Sequence, residues 1–459
     1  MSLRRVCDDV PVRGLLPLAG MRLRVPGTGA AAWHAARMLG GLGASVVCEA
    51  ENQGSAADWA ASGVMALTGT RDGDPVLPPG QAASAVRGAL LALESLCALA
   101  GRPVALPGVG VLSERAAIMG LRRDAPRAPR GAFQVLRAAD SWVGLNLARP
   151  SDEELLPAWL EDADPVLEEV VARRTASELA ERARLLGLPF AVLPSGPDEQ
   201  LIARGQVPEV RPFVLTGGPG TRHGFLPPTL VVDLSALWAG PLCGHLLTLA
   251  GARVVKVESL SRPDGARSGE REFYDLLHAG QESVALDFGS PEGRASLARL
   301  VEAADVVIEG SRPRALRQLG IDADEVLARA RDKVWISITA YGRTGPWANV
   351  PGFGDDAALA AGLLAFDPVT GGPSPVGDAI ADPVTGVNAA LVAVACRMAG
   401  GTWLADLALR EQIAATLELP GEPGSPGEVA APVARTPAGR APELGADTGR
   451  VLAELGARC

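Results

Sequence analysis

Lysine is nearly absent from this chain. Lys256 and Lys333 are the only two in 459 residues, and arginine supplies every other basic side chain. This reads as a chain-wide compositional bias and marks no site. Aromatics are also scarce, at 4%. With 47% hydrophobic residues there is material for sizeable cores, but they must be built from Ala, Leu and Val. An excess of positive charge is missing as well. The net charge is −10 and the isoelectric point about 5.1, which argues against a nucleic-acid partner, since that would call for a basic face.

Cysteine and histidine are few and scattered. Cys7, Cys48, Cys97, Cys243, Cys396 and Cys459 form no CxxC pair and no spacing typical of disulfide frameworks or zinc sites. They fit a reducing cytoplasm. His34, His223, His245 and His278 form no HExxH or other clustered ligand pattern. The opening stretch MSLRRVCDDVPVR lacks the apolar centre of a signal peptide, and no apolar run reads as long and uninterrupted enough to span a membrane. The expectation is a cytoplasmic protein with no membrane partner.

What is present is alternation. At this length two or three domains are expected. Residues 21–25 read as a strand, PGTGAAAWHAARMLGG as a turn and helix, and residues 44–48 as a second strand, followed by Glu49 and Glu51. The pattern Gly27-x-Gly29-x-x-Ala32 fits either a dinucleotide-binding loop or a tight strand-to-helix turn. Two helical stretches follow between Asp58 and Val104. A Pro/Arg linker, RDAPRAPR, then marks a boundary. Residues 133–147 read as a strand pair, residues 151–186 as helical, residues 191–193 as a strand and residues 208–228 as a loop-rich return. From Leu230 strands and helices alternate through Thr339, which predicts a mostly parallel sheet covered on both faces.

The chain also resembles itself. LVVDLSALWAGPLCGHLLTLAGARVVKVES, from Leu230, overlays MRLRVPGTGAAAWHAARMLGGLGASVVCEAE, setting Gly43 on Gly251. A later block, from Ala361, overlays the one from Ser62, setting Ser84 on Asp382 and Gly88 on Gly386. The earlier copy is shorter and lacks the aspartate. In the later one, Asp382-Pro383 opens an apolar small-residue helix. Asp there is a helix-capping signal, and its ionised form is favoured by the helix N-terminus.

Five ordered blocks from residue 231 to residue 386 carry a resemblance: VVDLSALWAGPLCGHLLTLAGARVVKVES, SVALDF, ADVVIEGSRPRALRQLGID, WISITAYGRTGPWANVPGF and PVGDAIADPVTG. The chain resembles the family III CoA-transferases, a family that includes formyl-CoA and carnitine-CoA transferases and 2-methylacyl-CoA racemases. The resemblance implies an α/β fold with a Rossmann-like, mostly parallel large domain and a small α+β domain. It divides this chain into a shortened large-domain copy (1–125), a small domain (131–225), an intact CoA-binding large domain (226–415) and a Pro/Gly-rich linker with a C-terminal tail (416–459). It implies covalent catalysis by Asp382, which would pass CoA from an acyl-CoA to a small carboxylic acid through an aspartyl intermediate. CoA and acyl-CoA are then substrates, with no permanently bound cofactor. By alignment CoA would contact Leu237, Arg262, Leu286, Ser311 and Leu319. The family's interlocked dimers suggest that this chain forms a pseudo-dimer by itself, with further homo-oligomers left open.

The resemblance departs in three places. Gln281-Glu282 replaces a basic pair, Gly310-Ser311 replaces Asn-Phe, and Gly354 replaces a carboxylate, with Asp355 and Asp356 next to it. Phe353 stands where a racemase carries its histidine. Three other readings follow from these features: a non-catalytic acyl-CoA-binding or scaffold protein, a racemase-like enzyme, and a dinucleotide-dependent oxidoreductase resting on Gly27 and Gly29.

Overall fold

The computed structural model describes residues 4–5, 16–27, 29–48, 55–163, 165–221, 229–417 and 424–456. Glu49, Glu51, Cys7, Cys459 and His223 lie outside the described residues. The first strands are β1 (Arg4–Arg5), β2 (Arg22–Arg24) and β3 (Ser45–Cys48), which form one sheet in the order β1-β3-β2. Helix α1 (Gly29–Gly41) joins β2 to β3, and these two strands run parallel. The expected βαβ start is therefore present. Helix α2 (Ala82–Leu99) packs against α1, and the short α3 (Glu114–Met119) follows.

A small antiparallel sheet comes next: β4 (Phe133–Arg137), β5 (Trp142–Asn146) and β6 (Phe190–Val192). Helices between β5 and β6 cover it with a core that includes Leu145, Trp159, Leu179 and Phe190. The stretch read as a loop-rich return carries a strand, β7 (Val214–Gly218). It pairs with a strand that lies far away in sequence, and it ends in two glycines. Local alternation therefore had no means of showing it.

The large sheet follows from strands that are apolar on both faces. Every residue of β8 (Leu230–Asp233) is buried, and all but the first of β9 (Arg253–Ser259) and β10 (Glu282–Leu286). Every residue of β11 (Val306–Glu309) and β12 (Lys333–Thr339) is buried as well. Such strands need helices on both sides, which is the condition for a parallel sheet. A two-stranded hairpin, β13 (Ala365–Phe366) and β14 (Pro373–Ser374), precedes the last strand, β15 (Thr402–Ala408). The order is β10-β9-β8-β11-β12-β15-β7, parallel throughout except for β7 at the edge. The chain builds outward from β8 in one direction and then, from β11, in the other. The carboxyl ends of β8 and β11 thus flank a topological switch point, where such sheets open a crevice.

Helix α4 (Ala239–Leu249) follows β8, α5 (Gly354–Ala360) follows β12, and α6 (Ala381–Ala399) leads into β15. Helix α7 (Leu409–Leu417) closes the domain, and α8 (Thr448–Gly456) packs on β10. The tail straps the halves together. Asp447 accepts from the Ser283 N–H at 2.9 Å, and Arg435 pairs with Glu114 of α3. One continuous core runs from Leu18 and Leu93 through Val231 and Leu246 to Val387 and Ile413. Helix α2 is 18 residues long and, contrary to the sequence reading, apolar enough by length and composition to cross a membrane. Arg87 and Glu94 interrupt its apolar run, which hid it. Here α2 is a core helix, with 67% of it buried between α1 and α6.

Two glycines set the helix spacing. A Cβ on Gly386 of α6 would stand 2.6 Å from the Ala239 carbonyl and 3.0 Å from Leu242 Cβ. A Cβ on Gly88 of α2 would meet the Ala31 carbonyl, and His34 Cβ at 2.7 Å. Ala31 and His34 hold the places of Ala239 and Leu242 in the overlay that sets Gly43 on Gly251. In exposed helix interiors Gly→Ala stabilises by about 1 kcal/mol. Here the sign should reverse: Gly88→Ala and Gly386→Ala should each lower unfolding free energy by about 1–3 kcal/mol in urea titrations, because the backbones must part.

Candidate active site

The chain enters α6 through a tight turn. Gly377 has φ +65°, and Ala379 has φ +46°, a left-handed conformation uncommon for a residue with a side chain. Ile380 is the N-cap residue and makes no side-chain capping bond. Asp382 is therefore the second residue of the helix and does not cap it, which corrects the capping reading of the sequence. The turn displaces it from the capping position. Its half-buried carboxylate instead accepts from the backbone N–H of Gly354, at the start of α5.

Gly354 explains one departure from the family pattern. A Cβ there would stand 2.5 Å from Asp382 Oδ2. The site has no room for a side chain at that position, and the two following aspartates point their carboxyl groups inward. Asp355 Oδ1 accepts from the Ala379 N–H at 2.8 Å. Asp356 Oδ1 accepts from the Phe353 N–H at 2.9 Å and from the Asn146 side chain at 3.0 Å. Asn146 ends β5, so the small sheet reaches into the site. Asp378, fully buried, completes a group of four carboxyls.

One guanidinium faces them. Arg115, on α3, forks onto Asp378 through Nε and Nη2 at 2.7 and 2.6 Å. It lies 4.4 Å over the Trp238 ring, at the start of α4. Burial opposes its charge, but Asp378, Asp382 and Asp355 outweigh that and raise its pKa. Burial pushes Asp382 up to about 6, with Arg115 and the Gly354 N–H pulling down and Asp378 pushing up. Asp355 is pushed to about 8, by burial first and then by Asp378. Burial likewise brings Asp356 to about 7, with Asp382 adding to it. Near neutral pH the site thus holds Asp382 mostly ionised beside carboxyls that retain protons.

The residues aligned to a CoA site divide into two sets. Leu237, 40% exposed with φ +70°, follows β8; its N–H donates to Asp264, which pairs with Lys256. Ser311 follows β11, so both line the switch-point crevice. Exposed Arg262 lies within electrostatic reach of Arg312, as do Arg314 and Arg149. Burial and these three cations lower the pKa of Arg312. Among the described residues Arg262 has no hydrogen-bond or ion-pair partner. Leu286 and Leu319 are different: the first belongs to the core beneath the sheet, and the second packs against it. Gln281-Glu282 lies at the amino end of β10, away from the crevice. There Gln281 bonds His278 and Glu282 pairs with Arg253 and Arg450.

Sequence reasoning missed Arg115, Asn146 and Asp378. Asp378 carried a faint signal, a second acid four residues before Asp382. Arg115 and Asn146 carried none, because they reach the site only through tertiary packing. The three histidines among the described residues stand elsewhere: His34 bonds Gln81, His245 contacts Arg435 and His278 bonds Gln281. The raised carboxyls predict a pH effect. A pKa above the ordinary carboxylate value means that the folded state binds the extra proton, so this stability is present at low pH and lost as pH rises through the folded pKa. For Asp355 the window runs from about 4 to about 8. Asp355→Asn should therefore gain on the native chain as pH rises from 5 to 8.5 in urea titrations. The slope should be at most about 1.4 kcal/mol per pH unit.

Comparison with known proteins places this geometry. Residues 226–416 match the family model described as CoA-transferase family III. A succinyl-CoA–D-citramalate CoA-transferase of Chloroflexus aurantiacus is 32% identical over 203 residues, 41% of this chain and 50% of that protein. A succinate–glutarate CoA-transferase of Agrobacterium fabrum is 33% identical over 34% of this chain and 43% of its own length. A probable CoA-transferase of Mycobacterium tuberculosis is 26% identical, but the alignment covers 66% of this chain and 50% of that protein. The chain thus spans about half the length of the curated relatives it matches. Residues 226–416, which carry most of the large sheet, the crevice and Asp382, are the part of the chain that is similar to CoA-transferase family III.

Proposed function

We propose that this chain moves CoA from an acyl-CoA donor to a small carboxylic acid, with Asp382 as the covalent nucleophile. The observation that carries the reading is Asp382 itself: an uncapped, half-buried carboxylate in the first turn of α6, ionised near neutral pH. A carboxylate in that place can attack the thioester carbonyl and expel the CoA thiolate, leaving a mixed anhydride. The thiolate then attacks the Asp382 acyl carbon, releases the donor acid and leaves an aspartyl-CoA thioester. The acceptor carboxylate attacks this thioester, and the thiolate finally takes the acceptor's acyl group, restoring Asp382. Neither protons nor electrons are gained or lost over the cycle. The names of the relatives, with citramalate, succinate and glutarate, favour a small dicarboxylic acid as one partner.

CoA would lie in the crevice beyond β8 and β11. Arg262, Arg312 and Arg314 fit its phosphates, with Arg149, which pairs with Asp152, within electrostatic reach of Arg312. Residues 16–125 are best read as a shortened large-domain copy, so the chain makes an intrachain pseudo-dimer around one site. The paired glycines Gly88 and Gly386 support this, as does Ser84, whose hydroxyl donates to Asp58 where the later copy has its nucleophile. A racemase would need a second positioned base, and among the described residues no histidine is among the groups that perturb Asp382. Buried free thiols at Cys48, Cys97, Cys243 and Cys396 suit a reducing cytoplasm.

Two outcomes test this reading. Incubation with a panel of acyl-CoAs should add the mass of CoA less one water to the intact protein, as a thioester requires. Asp382→Ala should abolish the adduct, and an unchanged adduct would place the nucleophile elsewhere. In the native chain the rate of adduct formation should rise with pH through about 6, as Asp382 loses its proton. Arg312→Ala should raise the KM for acyl-CoA about tenfold, the scale of one charge-assisted contact, with a weaker dependence on salt. A KM unchanged at low ionic strength would remove the arginines from the CoA site.

A further inference from the structure

We propose that Arg115, which lies outside the family match, is a positioning residue that holds the Asp382 carboxylate in place and supports its negative charge. The inference rests on reading Asp382 as the nucleophile. It begins from geometry. Arg115 is among the most deeply buried charges near the site, with a side chain 10% exposed. Its Nε and Nη2 are committed to Asp378, while Nη1 has no hydrogen-bond partner among the described residues. The Trp238 ring lies 4.4 Å from the guanidinium carbon and the Phe273 ring 6.0 Å, which restricts the plane of the group.

A single ion pair would not need this arrangement. Asp378 lies in the turn that aims Asp382, four residues earlier, so the fork fixes the position of that turn. The same guanidinium is also within electrostatic reach of Asp382 and Asp355. The charged groups facing Asp382 are Arg115 from α3, Asp355 and Asp356 from α5, and Asp378 from the turn ahead of α6. Charges on the neighbouring helices are engaged elsewhere. Arg87 of α2 pairs with Asp58, Arg410 and Glu411 of α7 pair with Asp198 and Arg204, and His245 of α4 contacts Arg435. Burial and the Asp378 carboxylate favour the protonated form of Asp382. Arg115 is the cation that opposes them, so the N-terminal segment completes the chemistry of a site whose nucleophile lies in the large domain.

The test separates this role from a purely structural one. Asp382 is titrated between pH 4.5 and 8.5 by carbodiimide-driven amidation, read by peptide mass, because the reagent acts on the protonated carboxyl. Three full-length chains are compared: native, Asp378→Asn, and Asp378→Asn with Arg115→Met. The double variant leaves neither half of the ion pair buried alone, which protects the fold. Asp378→Asn should lower the Asp382 midpoint, since a negative neighbour is lost. Adding Arg115→Met should raise it again by about one unit, the scale of one close charge. Combining Arg115→Lys with Asp378→Asn should keep the lower midpoint.

Coinciding midpoints in the single and double variants would overturn the proposal, because a merely structural arginine would not move the titration of Asp382. In the otherwise native chain, Arg115→Lys should lower kcat for CoA transfer at least fivefold and leave KM within twofold. A KM effect with kcat unchanged would likewise overturn it. A midpoint that moves as expected in a protein that forms no CoA adduct would support the Arg115 coupling and overturn the transferase reading.

Discussion

Burial of four carboxyl groups around one guanidinium is the constraint on which the site depends. Asp355, Asp356, Asp378 and Asp382 converge where α5 and α6 begin, and Arg115 is the cation that meets them. Like charges at such distances cannot all persist in a dry site. Near neutral pH Asp355 keeps its proton, Asp356 sits near its midpoint, the fork fixes Asp378, and Asp382 is mostly ionised. Gly354 is part of the same solution, since any side chain there would occupy the space of the Asp382 carboxylate.

That arrangement gives the architecture a purpose. The large sheet supplies the crevice, and α6 carries Asp382 beside it. The small sheet sends Asn146 to Asp356, and the N-terminal segment sends Arg115 to Asp378. The tail bonds to both the large sheet and α3, through Asp447 and Arg435. Three stretches of chain separated by many residues thus contribute to one cluster; one core joins the N-terminal stretch to the large sheet, and a second, with Phe133, Val135, Leu359 and Leu364, joins the small sheet to α5. Two glycine contacts, at Gly88 and Gly386, bring the helices of the two βαβ units to the same close approach.

The departures from the family pattern lose weight in this light. Gln281-Glu282 lies at the far end of β10, tied to His278, Arg253 and Arg450. Beside Gly354, which carries no carboxylate, Asp355 and Asp356 bond the backbone of the same site. Leu286 and Leu319, by contrast, pack in and against the core of the sheet. The arginines around Arg312 were legible only in part: Arg262 stood out in its loop, whereas Arg149 comes from the stretch just after β5, remote in sequence.

By itself the sequence determined the parallel sheet, the two βαβ starts, the small antiparallel sheet and the place of Asp382. Local periodicity governs all of these, because a strand buried on both faces must be apolar throughout and a helix start carries its own signals. It also read Asp382 as a cap, and there local pattern reached its limit. Whether a carboxylate caps its helix or faces a neighbour depends on the turn that delivers it, here set by Gly377 and Ala379. Only the tertiary structure decided that Arg115, Asn146 and β7 belong to this assembly. Their partners are remote in sequence, and a charge or an edge strand carries no local mark of what it will meet.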